Sequence, residues 1–230
     1  AAVFFLALII STVATILIFR NASAAVATCY WVGDTNPANW NDVTHWSSAP
    51  GGAGSTCDGG IVPGTDETVI FTSDNVNSAT IDSSPTFRNL TINAGYTGTI
   101  TQAAGQVLSV TTSFVQHDGI FNTADQAISI ASFTIDGGTF NAGASTVTLS
   151  GGFTHTAATG TFNEDTSILR LTGLDTIYDF NTTETFNNVE VARGAGNWAT
   201  VNSGDTMVIA GTFTLTTGIL RMGTFDARGN

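Results

Sequence analysis

From Asp66 onward, apolar residues recur at every second position in short runs. Examples are Leu90-Thr-Ile92, Leu108-Ser-Val110, Ile128-Ser-Ile130, Val147-Thr-Leu149 and Leu169-Arg-Leu171. A period of two puts apolar side chains on one face of a strand and polar ones on the other. Gly, Asn and Asp separate the runs and supply turns. No helical period appears after Ala27. Residues 28–65 read differently, as aromatic loop: Tyr30, Trp31, Trp40 and Trp46 lie among Asn, Asp, Gly and Pro. This predicts a small capping core. The sharper alternative is an aromatic platform on which sugar rings stack against Trp31, Trp40 and Trp46.

The runs belong to a repeat. Ser113-Phe114 through Gly119-Ile-Phe121-Asn122 aligns with Ser132-Phe133 through Gly138-Thr-Phe140-Asn141, and then with Gly152-Phe153 and Gly160-Thr-Phe162-Asn163. The unit is Phe, a turn, Gly-x-Phe-Asn, a polar turn and an apolar-x-apolar strand. A late copy begins at Phe213, with Gly218 and Leu220. A longer repeat lies over it. Shifting the chain by 99 residues places Phe87, Asn89, Phe114 and Gly119 on Phe186, Asn188, Phe213 and Gly218 without a gap. A multi-strand unit of roughly 20 residues is one rung of a parallel β-helix, which buries its apolar face only against neighbouring rungs. The expected fold is therefore all-β, a single-stranded right-handed parallel β-helix over residues 66–230, with a β-sandwich of the immunoglobulin type as the alternative. Rungs ~4.8 Å apart would stack Phe114, Phe133 and Phe153 in one ladder and Phe121, Phe140 and Phe162 in another. Leu220 would continue the second. Asn122, Asn141 and Asn163 would form an amide ladder.

Composition narrows the function. The chain of 230 residues has 25 Gly and 39 Thr, only 10% charged residues, no Lys and a net charge of -12. A duplex nucleic-acid binder needs a basic stripe, and none exists. A lysine nucleophile is impossible, and poor helix formers exclude a helical bundle. Apolar residues at 42% argue against simple disorder.

Ala1–Phe19 carries no charge and is followed by Arg20 and by the small-residue sites Ala22-Ser-Ala24 and Ala25-Val-Ala27. This segment, 1–27, reads as a secretory signal peptide cut after Ala24 or Ala27, so an exported protein is expected. Two other fates fit the same run: a retained membrane anchor, and a filament-assembly stem formed by residues 1–19. The run has neither Met nor a basic start, which implies that the native chain begins upstream. Cys29 and Cys57, the only cysteines, suit a disulfide in an exported chain, with two buried thiols as the alternative.

Taken together, the chain resembles secreted right-handed β-helix surface proteins, including autotransporter passenger-like and haemagglutinin-like adhesins. The carrying residues are Trp31-Val-Gly33, Asn39-Trp40, His45-Trp46-Ser47 and Pro63-Gly64-Thr-Asp66-Glu-Thr-Val69, with the rungs Thr86-Phe-Arg-Asn89-Leu-Thr-Ile92 and Thr185-Phe-Asn-Asn188-Val-Glu-Val191. The resemblance spans residues 30–230 and implies a surface-exposed solenoid; the last residues, Gly223 to Asn230, stop inside a rung, so the repeats are expected to continue. It brings no catalytic motif.

Candidate chemistry is sparse. The 18 acids are scattered, and the adjacent pairs Asp66-Glu67 and Glu164-Asp165 sit at expected turns. Nothing points to the paired carboxylates of a glycosidase. His117, Asp136 and His155 fall near one rung position and could meet on a face, but the rung of His155 has two extra residues that break the register. Plain exposed turn residues are the expectation. His45, among the Trp residues, is expected to be a structural hydrogen-bonding group. Asp34, Asn36, Asn41 and Asp42 offer oxygens to a calcium ion without forming a known calcium motif. No cofactor is expected. The leading functional expectation is a non-enzymatic structural or adhesive protein that presents Thr and Asn to glycans, to surface proteins or to copies of itself. Membrane contact is expected only through residues 1–19. The alternatives are a polysaccharide-acting lyase or hydrolase and an extracellular filament subunit.

Overall fold

A computed structural model describes residues 26–155, 159–174 and 176–222, and the backbone of 224–227. Residues 1–25 of the signal, anchor or stem segment lie outside these residues, as does the end of the last rung. The chain is an all-β parallel solenoid of about seven turns. Each full turn contributes to three stacked ladders, and among the described residues every strand pair but one is parallel, the exception joining Thr28–Trp31 to Trp46–Ser47.

The first ladder stacks Leu108–Val110, Ile128–Ile130, Thr146–Leu149, Ile168–Leu171, Asn188–Ala192 and Phe213–Thr217. The second runs from Thr28–Trp31 through Thr68–Phe71 and the later halves of Thr86–Ile92, Leu108–Gln116 and Ile128–Ile135. It then passes to Phe153–His155, Thr176–Phe180, Trp198–Val201 and Ile219–Arg221. Three long strands thus serve two ladders, bent where their register shifts. The third ladder stacks Ala38–Asn39, Ala79–Ile81, Thr99–Gln102, Ile120–Asn122, Gly138–Asn141 and Gly160–Asn163. It resumes separately as Thr183–Phe186, Thr206–Ile209 and Thr224–Ala227.

Alternation in sequence becomes inside and outside here. Strand after strand shows buried residues at every second position, as in Thr68–Phe71, Thr146–Leu149 and Thr206–Ile209. The inward residues form continuous columns. Phe121, Phe140 and Phe162 stack with ring centroids 5.3 and 5.5 Å apart and planes within 6° of parallel. Phe114, Phe133 and Phe153 form the neighbouring column at 5.0 and 5.1 Å. Outside, the Asn141 amide donates to Asn122 Oδ1 at 2.5 Å and the Asn163 amide to Asn141 Oδ1 at 2.7 Å. Gly138 must be glycine: its φ is +69°, and a Cβ would stand 2.5 Å from the Asp118 carbonyl of the turn before.

Three details differ from the sequence reading. Residues 28–65 supply the first strands of the second and third ladders as well as loop. Leu220 does not continue the Phe121 column; it pairs with Ala199 in the second ladder. The late copy at Phe213 pairs with Val189 in the first ladder, whereas Phe114 stands in the second. The 99-residue shift therefore carries each strand to the preceding ladder. From Phe87 to Phe186 it spans four complete turns and two further faces.

Candidate functional site

The aromatic residues form the expected capping core, not the alternative sugar platform. Trp31, Trp40 and Trp46 are buried, with no ring face left for a sugar. Trp46 packs on Trp31 at 5.1 Å and on Trp40 at 4.5 Å, and Trp40 stacks on Phe87 at 5.3 Å. The rings pack over Phe71 and Phe87 at the N-terminal end of the interior columns described here. The indole N–H groups of Trp31 and Trp46 donate to the carbonyls of Asn77 and Trp40. Burial of three large aromatic rings dominates this end energetically. The glycan-stacking assignment of these residues is therefore corrected.

His45 is built into the same plug. It is buried against Trp31, with Nδ1 2.6 Å from the Asn39 carbonyl and Nε2 3.1 Å from Asp34 Oδ1. Cys29 and Cys57 are joined by a disulfide with Cα atoms 5.3 Å apart, which ties the first strand to the loop that follows the Trp residues.

The oxygens considered for calcium lie apart in role. Asp34 engages His45. Asp42 caps a short 3-10 turn by accepting from the Thr44 amide and hydroxyl, and these bonds hold its carboxyl below the usual range. Asp82 accepts from the Asn41 amide at 2.8 Å. Among the described residues, no three His, Cys, Asp or Glu side chains gather around a metal position.

Of the proposed His-Asp-His cluster, the fold assembles only two members. His117 and Asp136 occupy adjacent rungs, with Nδ1 2.9 Å from Oδ2, both half exposed. His155 turns away. Its Nδ1 contacts Glu184 Oε2, and its Nε2 lies against Gly160, 3.0 Å from where a Cβ on that glycine would stand. Its side chain is 12% exposed and that of Glu184 10%. The Glu184 bond holds the imidazole above its ordinary value, against the opposing effect of burial.

Sequence reasoning missed Glu184, although a signal was present. Glu184-Thr-Phe-Asn187 matches Gly160-Thr-Phe-Asn163 with glutamate in the glycine's place. Arg193 was missed as well. Its guanidinium is buried and donates to the Gly173 carbonyl at 3.1 Å, to the Leu174 carbonyl, to Thr176 Oγ1 at 2.7 Å and to Tyr178 Oη at 2.5 Å. It pins the corner between the first and second ladders.

The remaining surface consists of ladders. Asn39, Thr80, Thr101, Asn122, Asn141 and Asn163 align outward along the third. Ser109, Ser129 and Thr148 align on the first, beside a shallow groove of about 200 Å³ bordered by Thr111, Ala131 and Ser150. Arg170 and Glu190 interrupt that column with an ion pair at 2.8 Å. Compared with protein-family models, curated proteins and solved structures, the chain matches none.

Proposed function

We propose that this chain is a non-enzymatic structural or adhesive rod of an exported, cell-surface type, in line with the adhesin resemblance of its sequence. The observation that carries this reading is the outward column Asn39–Thr80–Thr101–Asn122–Asn141–Asn163, which is uncharged and spans successive turns at a fixed spacing. Such a column offers many equal hydrogen-bonding groups and no special one. It suits an extended neutral partner, such as a glycan chain, through contacts that are numerous and individually weak. The Trp residues take no part. A net charge of -12 discourages contact with anionic lipid or nucleic acid. The grouped titratable residues are engaged with one another: His117 with Asp136, His155 with Glu184, Arg170 with Glu190.

The test is a panel of immobilised neutral glycans and polyuronates, assayed with and without calcium for retention and for release of new chain ends. Retention without chain cleavage is expected. Sustained turnover of any polysaccharide would replace this reading with the enzymatic one.

A further inference from the structure

The third ladder is interrupted once. Strand Gly160–Asn163 ends one sheet and strand Thr183–Phe186 begins another, although they are successive in the stack. No backbone ladder joins them among the described residues, so the wall of the solenoid has a seam. The aromatic column changes at the same place. Phe121, Phe140 and Phe162 are parallel, but Phe186 meets Phe162 edge-on at 62°.

Among the described residues, one polar side-chain link crosses this seam. Glu184 stands where the preceding turns carry Gly98, Gly119, Gly138 and Gly160. Lacking hydrogen as its side chain, it reaches inward to His155, which stands in line with Ile135 before it and Phe180 after it. His155 bonds Glu184 on one side of the seam, and its Nε2 lies against Gly160 on the other, 3.0 Å from where a Cβ on that glycine would stand. An imidazolium donates from both nitrogens, whereas a neutral ring donates from only one. We propose that His155 and Glu184 form a proton-dependent clasp that closes the solenoid wall between strands Gly160–Asn163 and Thr183–Phe186.

The surroundings single out the pair. Strand Gly160–Asn163 carries no titratable side chain. Asp179, on the strand paired with His155, stands beside Thr154 on the outward face, where it accepts from the Asn202 amide. Asp205 is engaged with the Phe180 amide at 2.7 Å, and Asp136 with His117. Glu184 is the carboxylate facing the imidazole. The sign follows from linkage. The folded value of His155 lies above its ordinary 6.5, so the clasp is complete below that pH and is lost as pH rises through the folded value.

Amide hydrogen exchange on the chain, corrected for intrinsic rates and read from about pH 5 to about pH 9, tests this at the range where an imidazole titrates. Protection of residues 160–163 and 183–187 is expected to fall several-fold with rising pH, while strands Leu108–Gln116 and Ile128–Ile135 keep theirs. His155→Gln is expected to abolish the pH dependence, and His117→Gln to leave it intact. A flat wild-type profile at the seam overturns the clasp, and so does a pH dependence that survives in His155→Gln. The wild-type profile needs no variant, so it decides the matter even if a substitution prevents folding.

Discussion

At the scale of single residues, the interior columns concentrate the stability. Phe140 is stacked between Phe121 and Phe162 and touched edge-on by Phe114 and Phe133. Its removal leaves a cavity that rigid ladders above and below cannot collapse into. Phe140→Ala is expected to cost about 3–5 kcal/mol, the range for a buried phenylalanine, measured by denaturant unfolding. A loss under about 1 kcal/mol would mean that the column repacks. Tyr96 and Tyr178 show what polar tips require in the same interior. Tyr96 donates to the Asn77 carbonyl, Tyr178 to the Gly151 carbonyl, and burial raises both phenols above their usual range.

At the scale of elements, the first turns depend on a covalent tie. The Cys29–Cys57 bond closes a loop of sequence separation 28, and Cys29 heads the column that continues through Val69 and Leu90. Reduction is expected to remove about 3.5 kcal/mol from the N-terminal turns, the chain-entropy value for such a loop. The loss should appear as proteolysis confined to residues 26–71, and cleavage spread evenly along the rod would contradict it. The strands themselves were legible in the sequence, because alternation states directly which side chain faces inward. Register was legible wherever Gly-x-Phe-Asn recurred. Ladder identity was not, since a shift that preserves inward parity fits three ladders equally well; Leu220 was misplaced for this reason. A capping core around Trp31, Trp40 and Trp46 was legible, but the sugar platform stayed open beside it, because stacking on a sugar and stacking on Phe87 ask for the same residue. The partner of His155 lies on another face of the next turn, and only the missing glycine at 184 hinted at it.

At the scale of the whole molecule, inside and outside differ in tolerance. Each turn is stabilised by its neighbours, so a defect inside one rung spreads along the stack. Phe121→Asp would bury an unpaired charge in a column with no partner for it and should unfold the central turns. His117→Ala and Asp136→Ala remove a half-exposed pair and should keep the native circular dichroism spectrum and glycan retention. Complete loss of retention in either folded variant would show a localised site and refute the distributed surface.

The displacement between similar segments has a consequence of its own. Stretches that read alike stand a third of a circumference apart, so likeness in the chain is not likeness of bearing. Thr91 lies between Ile70 and Val115, whereas its counterpart Glu190 lies between Arg170 and Thr214. A hydroxyl that suits the first company does nothing for the guanidinium in the second, and the carboxylate does. Outward side chains in this solenoid answer to the column they join, and a segment moved around the barrel has to learn new neighbours.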